Sequence, residues 1–230
     1  MALPIIDVPT FDIEVPGIKD KIKLRPFLVK ENKILTLATA SEDPKEMYNA
    51  CCQVIENCSF GKVDTKKLAM FQIQVIFVKL REKSIGDTQE FVLKCGNCQD
   101  TIAYNMQLSE FKLVGDTENT QKKLEINNEV GIVIKYPTAE VQLAQKELSD
   151  TEILINSIEC IYSGEEVIRP EEETAEEVIE FIDNLPINLL NEAADFFSKI
   201  PTLVHNIEYN CAKCESKNEI SINGHEHFFG

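Results

Sequence analysis

The stretch FVLKCGNCQDTIAY, Phe91 to Tyr104, sets a CxxC turn between two segments of alternating apolar residues. Phe91 and Leu93 alternate before the turn and Ile102 and Tyr104 after it, the period-2 signature of strands with one buried face. After 112 intervening residues the chain repeats the arrangement in NIEYNCAKCESKNEISI, Asn206 to Ile222. There Ile207 and Tyr209 precede Cys211–Cys214, and Ile220 and Ile222 follow. A CxxC turn aims two sulfurs to one side, and zinc takes four such ligands tetrahedrally at about 2.3 Å. Two knuckles, each between strands, are the parts of a zinc ribbon. Cys95, Cys98, Cys211 and Cys214 are therefore the candidate ligands of one structural zinc ion. The usual ribbon has ~15–20 residues between its pairs, so here the fold must bring distant hairpins together. Two unrelated thiol pairs, or a metal-free pairing, are the alternatives. A redox CxxC is disfavoured, because that chemistry wants its motif at a helix start and both motifs here have strand flanks.

Separation along the chain is no barrier to a shared site. Loop-closure entropy grows logarithmically, each doubling of length adding about 0.6 kcal/mol, whereas structural zinc supplies ~10–16 kcal/mol of apparent binding free energy in small domains. The residues inside the turns, Gly96-Asn97 and Ala212-Lys213, are small or polar and suit a tight loop. An ion held by four thiolates has no open coordination position, so such a site braces a fold and does not activate water. His225 and His227 form an HxH near the second knuckle and are alternative ligands, with unrestrained terminal histidines as the plainer reading. His205 falls in a strand pattern and reads as structural. Cys51, Cys52, Cys58 and Cys160 lie in apolar surroundings without ligand spacing and read as buried thiols.

Toward the N-terminus, PTFDIEVPGIKDKIKLRPF alternates at Phe11, Ile13 and Val15, turns at PGIKD, and alternates again at Ile22 and Leu24, which predicts a β-hairpin. A helical block follows. FLVKENKILTLATA places Leu28, Val29, Ile34, Leu35 and Leu37 on one broad face. SEDPKEMYNACCQVIENC opens with Asp43 as N-cap and Pro44 at the first helical position. Asp64 caps a short turn, and a third helix carries Phe71, Val75, Val78 and Leu80 until Gly86 stops it. KLEINNEVGIVIKYPT adds strands around Gly131, and helix is expected from about Thr138 to Lys199. The fold class is thus α+β: a helical block with an N-terminal β-hairpin, plus β-hairpins whose knuckles form a composite zinc ribbon. Because the knuckles must meet, residues 1–230 are expected to make a single interleaved unit. Its sub-regions are 1–26 (hairpin), 27–86 (helical block), 87–137 (strands with the first knuckle), 138–200 (helical) and 201–230 (second knuckle).

Charge narrows the function classes. The formal net charge of −16 handicaps nucleic-acid binding, which works through phosphate neutralisation by Lys and Arg. The one basic candidate is KDKIKLRPFLVKENK, and near the knuckles Lys94, Lys213 and Lys217 are offset by Asp100, Glu208, Glu215 and Glu219. GEEVIRPEEETAEEVIEF gathers eight glutamates against Arg169; it reads as a solvated helix entrance, or as a docking surface for a basic partner. No apolar run approaches the ~18 residues of a membrane span, and MALPIIDVPT does not read as a signal peptide. No Walker loop, GxGxxG, HExxH or GxSxG occurs, so no catalytic residue is nominated.

Taken in order, MALPIIDVPTFDIEVPG, IKLRPFLVKENKIL, NCSFGKVD, GIVIKYPT, DFFSKIPTLVHNIEYNC and the closing FFG resemble the baseplate hub assembly proteins of T4-like bacteriophages. The likeness spans nearly the whole chain and lies in the order of the strings, none of which is a catalytic signature. It implies a phage late protein made in the host cytoplasm that helps build the tail baseplate hub or resides in it. It also implies other hub proteins as partners and no enzyme activity. INLLNEAADFFSKIP, with Leu189, Leu190, Phe196, Phe197 and Ile200, and the glutamate-rich segment before it are the candidate contact surfaces; core packing is the plainer use of most of those apolar residues. The alternative from another class is a zinc-ribbon regulator of nucleic acid, and a thiol oxidoreductase ranks last.

Overall fold

Phe11–Ile13 (β1) and Ile22–Leu24 (β2) pair antiparallel, Ile13 opposite Ile22, in the computed structural model, which describes residues 7–223. The alternation does what its period demands: Ile13, Val15, Ile22 and Leu24 are buried, while the lysines and acids between them face out. Three helices follow, Val29–Ser41 (α1), Pro44–Cys58 (α2) and Met70–Ser84 (α3). The Asp43 side chain accepts the Lys45 N–H at 2.8 Å, with Pro44 at the first helical position, so α2 starts where its cap residue dictates. The hairpin is tied to these helices by Arg25 N–H to the Cys58 carbonyl (3.0 Å), Phe27 N–H to Ser84 Oγ (3.0 Å) and Gln72 Nε2 to the Pro16 carbonyl (3.0 Å).

α1 departs from its expected pattern. Val29 and Leu37 are 72% and 73% exposed, and the inward residues are Glu31 and Ala38. The apolar residues wrap around the helix instead of sharing one face. What draws the helix inward is electrostatic: Arg25 Nη2 and Nη1 donate to Glu31 Oε1 (2.9 Å) and Oε2 (3.3 Å), and the Leu28 N–H donates to Oε2 (2.9 Å). This carboxylate therefore anchors the first turn and neutralises a buried guanidinium together.

Thr88–Lys94 (β3) and Thr101–Gln107 (β4) form the first knuckle hairpin, and Lys112–Val114 (β5) follows. Here the chain leaves the first of its two units, which comprises the residues through Thr65, Phe71–Val114 and those from Thr202 onward. The second comprises Lys66–Met70 and Gly115–Pro201.

That second unit carries an antiparallel sheet of Gln121–Glu125 (β6), Val130–Lys135 (β7), Ile158–Ser163 (β8) and Glu166–Ile168 (β9), in chain order. Its helices are Ala139–Ala144 (α4), Asp150–Ile155 (α5), Ala175–Asp183 (α6) and Ile187–Phe197 (α7). Leu124, Ile132, Ile134, Ile158 and Ile161 are buried, as are Val178, Ile182, Leu189 and Phe196 from the helices. The expected helix over 138–199 is therefore broken by β8 and β9. A register shift explains the misreading. Cys160 lies opposite Val133 and Ile158 opposite Ile134, so Glu159 is an extra residue. The bulge leaves Ile158 and Ile161 both buried although they are three apart, a spacing that mimics a helix. Phe196, a candidate contact residue, is committed to this core: it stacks on Tyr136 with ring centroids 4.6 Å apart. Phe197 is half-buried and Ile187 exposed. The glutamates of 165–180 are exposed, and Glu177 closes a capping box with Thr174 at the start of α6, so that one serves the helix entrance.

The chain re-enters the first unit with Thr202–Asn210 (β10), which pairs antiparallel with β5, Thr202 opposite Val114, and with Lys217–Asn223 (β11) along its other edge. Phe91, Leu93 and Met106 from the first knuckle hairpin form one buried cluster with Ile207 and Ile222 from the second. Val78 of α3 packs with Leu108 and Leu203, fastening the pair of hairpins to the helical block.

Candidate metal centre

The apolar cluster between the two hairpins sets both CxxC turns at one end of the ribbon, and the turns share one backbone shape. In the first, Cys95 N–H donates to the Asp100 carbonyl (2.8 Å) and Gln99 N–H to the Cys95 carbonyl (3.0 Å). In the second, Cys211 N–H donates to the Ser216 carbonyl (3.0 Å) and Glu215 N–H to the Cys211 carbonyl (2.9 Å). Gln99 and Glu215, both one residue past the second cysteine, take left-handed backbone with φ of 61° and 59°, a conformation non-glycine residues seldom adopt. Two different sequences thus reach the same strained turn.

All four sequence-nominated sulfurs come together. Cys95 Sγ lies 3.7 Å from Cys214 Sγ, Cys98 Sγ lies 3.6 Å from Cys211 Sγ, and all four lie within 4.8 Å of one another. Each cysteine is a free thiol. A tetrahedron with Zn–S near 2.3 Å has edges of about 3.8 Å, so the donor set, its number and its spacing suit a closed zinc site. Among the described residues these four are the group of ligand-type side chains that converges closely enough to hold an ion. The glutamate-rich segment does not.

Electrostatics point the same way. The Ser216 hydroxyl, helped by the backbone N–H groups of Cys98 and Asn97, pulls the Cys95 thiol down to about 5. Ser216, through hydroxyl and backbone, also lowers Cys214. Cys98, although the Asp100 backbone pulls it down, is pushed up to about 12 by desolvation and by hydrogen bonding to the other three sulfurs. Four thiolates this close repel one another, and a divalent cation at their centre removes the penalty. At the mouth of the site Lys213 Nζ meets Asp100 Oδ1 at 3.2 Å, bridging the two knuckles, and Lys217 pairs with Glu208 at 2.7 Å.

The other candidates sort differently. His225 and His227 lie outside the described residues. His205 sits on β10 with Nδ1 3.3 Å from the Glu110 carbonyl and its ring edge-on to Phe111. Cys51 and Cys58 are fully buried, and burial raises both, Cys58 to about 11. Cys52 and Cys160, expected to be buried as well, are only partly so. Two further residues belong to the site. Ser216 Oγ lies 2.9 Å from Cys214 Sγ and 3.3 Å from Cys95 Sγ; Asn218 Oδ1 accepts the Gly96 N–H at 2.9 Å. The signal for Asn218 was present: it occupies the slot two before Ile220 and four before Ile222, an apolar-phase position filled by a polar side chain.

A family model described as T4 bacteriophage base plate protein matches residues 8–230. The comparisons with curated proteins and with solved structures found no match.

Proposed function

The chain belongs to the T4 bacteriophage base plate protein family, and from that membership we propose that it is a non-enzymatic part of tail baseplate hub assembly. In this reading it holds other hub subunits, and one zinc ion on Cys95, Cys98, Cys211 and Cys214 braces its first unit. The observation that carries the proposal is the family match over residues 8–230, nearly all of the sequence.

The zinc assignment is supported by the four converging sulfurs. When bound, the ion supplies a cross-link and no chemistry, because four thiolates fill its coordination sphere. Protein partners are favoured over nucleic acid by the charge and by its local arrangement. Lys213 and Lys217 at the knuckles are each paired to an acid, and Arg25 of the basic segment is buried against Glu31.

The test is co-expression of the chain with each hub subunit of its phage, followed by size exclusion with light scattering and metal analysis of the purified chain. A defined complex with a hub subunit and one zinc per chain are expected. No complex with any hub subunit, together with absence from baseplate intermediates, would overturn the hub assignment.

A further inference from the structure

The two knuckles match in backbone but not in the side chains around their sulfurs. Position by position, Asp100 in the first knuckle corresponds to Ser216 in the second, and Ile102 to Asn218. Asp100 reaches outward to Lys213. Ser216 turns inward, its hydroxyl within reach of a sulfur from each knuckle. Asn218 is 8% exposed and spans the gap between hairpins: its Oδ1 accepts the Gly96 N–H of the first turn (2.9 Å), and its Nδ2 donates to the Ser216 carbonyl of the second (2.9 Å). One buried amide therefore satisfies a donor on one turn and an acceptor on the other. A hydroxyl on the segment it holds contacts one ligand from each.

We infer that Asn218 and Ser216 are the positioning residues of the metal centre, registering the first knuckle on the second and so setting how tightly the ion is held. The inference rests on the zinc reading above and deepens it. Asn218 registers the loops through a shape only an amide supplies here, one acceptor and one donor aimed in different directions. Ser216 supplies a hydrogen bond to ligand sulfur, which in its orienting role belongs to the outer layer of a metal site. Loss of such partners typically weakens metal affinity about 10–100-fold.

The experiment titrates the reduced full-length chain with Co²⁺, read by its thiolate charge-transfer and tetrahedral d–d bands, and then displaces it with Zn²⁺ against a chromogenic chelator. Asn218→Ala is expected to weaken binding about 10–100-fold and Ser216→Ala about 10-fold, with Ser216→Thr restoring affinity to within about threefold because the hydroxyl is kept. Ile222→Val, which trims the cluster between the hairpins without touching the knuckles, controls for general loosening. If it weakens Co²⁺ binding as much as Asn218→Ala at equal loss of thermal stability, or if both alanine variants bind as the parent does, the inference fails and the zinc reading stands. If the parent chain itself gives no tetrahedral thiolate spectrum, the zinc reading fails and takes the inference with it. Should Asn218→Ala not fold, the Ser216→Ala and Ser216→Thr pair decides the question alone.

Discussion

In the zinc reading, removing the ion would unfasten a loop of 112 residues between Cys98 and Cys211. In the chain-entropy treatment of a cross-link, a loop of that length is worth about 16 cal/mol/K, or about 5 kcal/mol at 25 °C. Domains are held folded by only ~5–15 kcal/mol, so the loss is a large share of the whole. At roughly 3 °C per kcal/mol for chains of this size, the midpoint falls by about 15 °C. The assay is scanning calorimetry of the reduced protein before and after a high-affinity zinc chelator, followed by re-addition of zinc. The transition should drop by that amount and recover. Cys211→Ser should reproduce the chelated state, and Cys160→Ser, outside the cluster, should not. A chelated protein melting within about 2 °C of the untreated one, or a Cys211→Ser chain no weaker than Cys160→Ser, would refute the reasoning.

Glu31→Gln strands the Arg25 guanidinium in a buried site and should cost about 3–5 kcal/mol by urea denaturation at pH 7. Burial alone would raise the Glu31 carboxyl, but the Arg25 hydrogen bonds and the Leu28 amide outweigh it and hold the group below its ordinary value. Its contribution is therefore complete above the unfolded-chain carboxylate range and fades as pH falls through the lower folded value, so the parent should lose this increment in acid and Glu31→Gln should have none to lose. Gly131→Ala drives a methyl group into the Tyr162 ring that lies across it and into the Leu124 carbonyl; a cost of about 1–3 kcal/mol is expected, and Tyr162→Ala in the same chain should show coupling with it in a double-mutant cycle. Phe196→Ala removes a buried ring stacked on Tyr136 and should cost about 3–5 kcal/mol, whereas Leu37→Asp, on the outside of α1, should change folding by less than about 0.5 kcal/mol. An equal response of the two in thermal melts would show that Phe196 is not the core residue described.

What the sequence disclosed was what a short-range signal can carry. Asp43-Pro44 marks a helix start within two residues, and it did so correctly. Phe91 with Leu93, and Ile220 with Ile222, announced strands, and two CxxC turns with the same flanks announced that four sulfurs converge. Three features lay beyond such signals. The bulge at Glu159 gave β8 a three-residue spacing of buried isoleucines, so a strand read as helix. Glu31, a charged residue, replaced the apolar stripe as the inward anchor of α1, because its partner Arg25 sits on a neighbouring element that no helical periodicity reports. Ser216 acts across the gap between hairpins and its role exists only once they have met; for Asn218 the sequence shows a polar side chain in an apolar-phase slot but not the Gly96 N–H that it meets.

The convergence of two knuckles so far apart in the chain also sets an order for biosynthesis. The first knuckle emerges from the ribosome with half of its ligands still unmade. At about 5–20 residues per second, the 112 residues that separate Cys98 from Cys211 take roughly 6–22 s to translate. Throughout that interval Cys95 and Cys98 lack the second pair of sulfurs, and residues 115–201 are made before the last hairpin is. A chain that stops short of β10 and β11 thus carries only two of the four converging sulfurs.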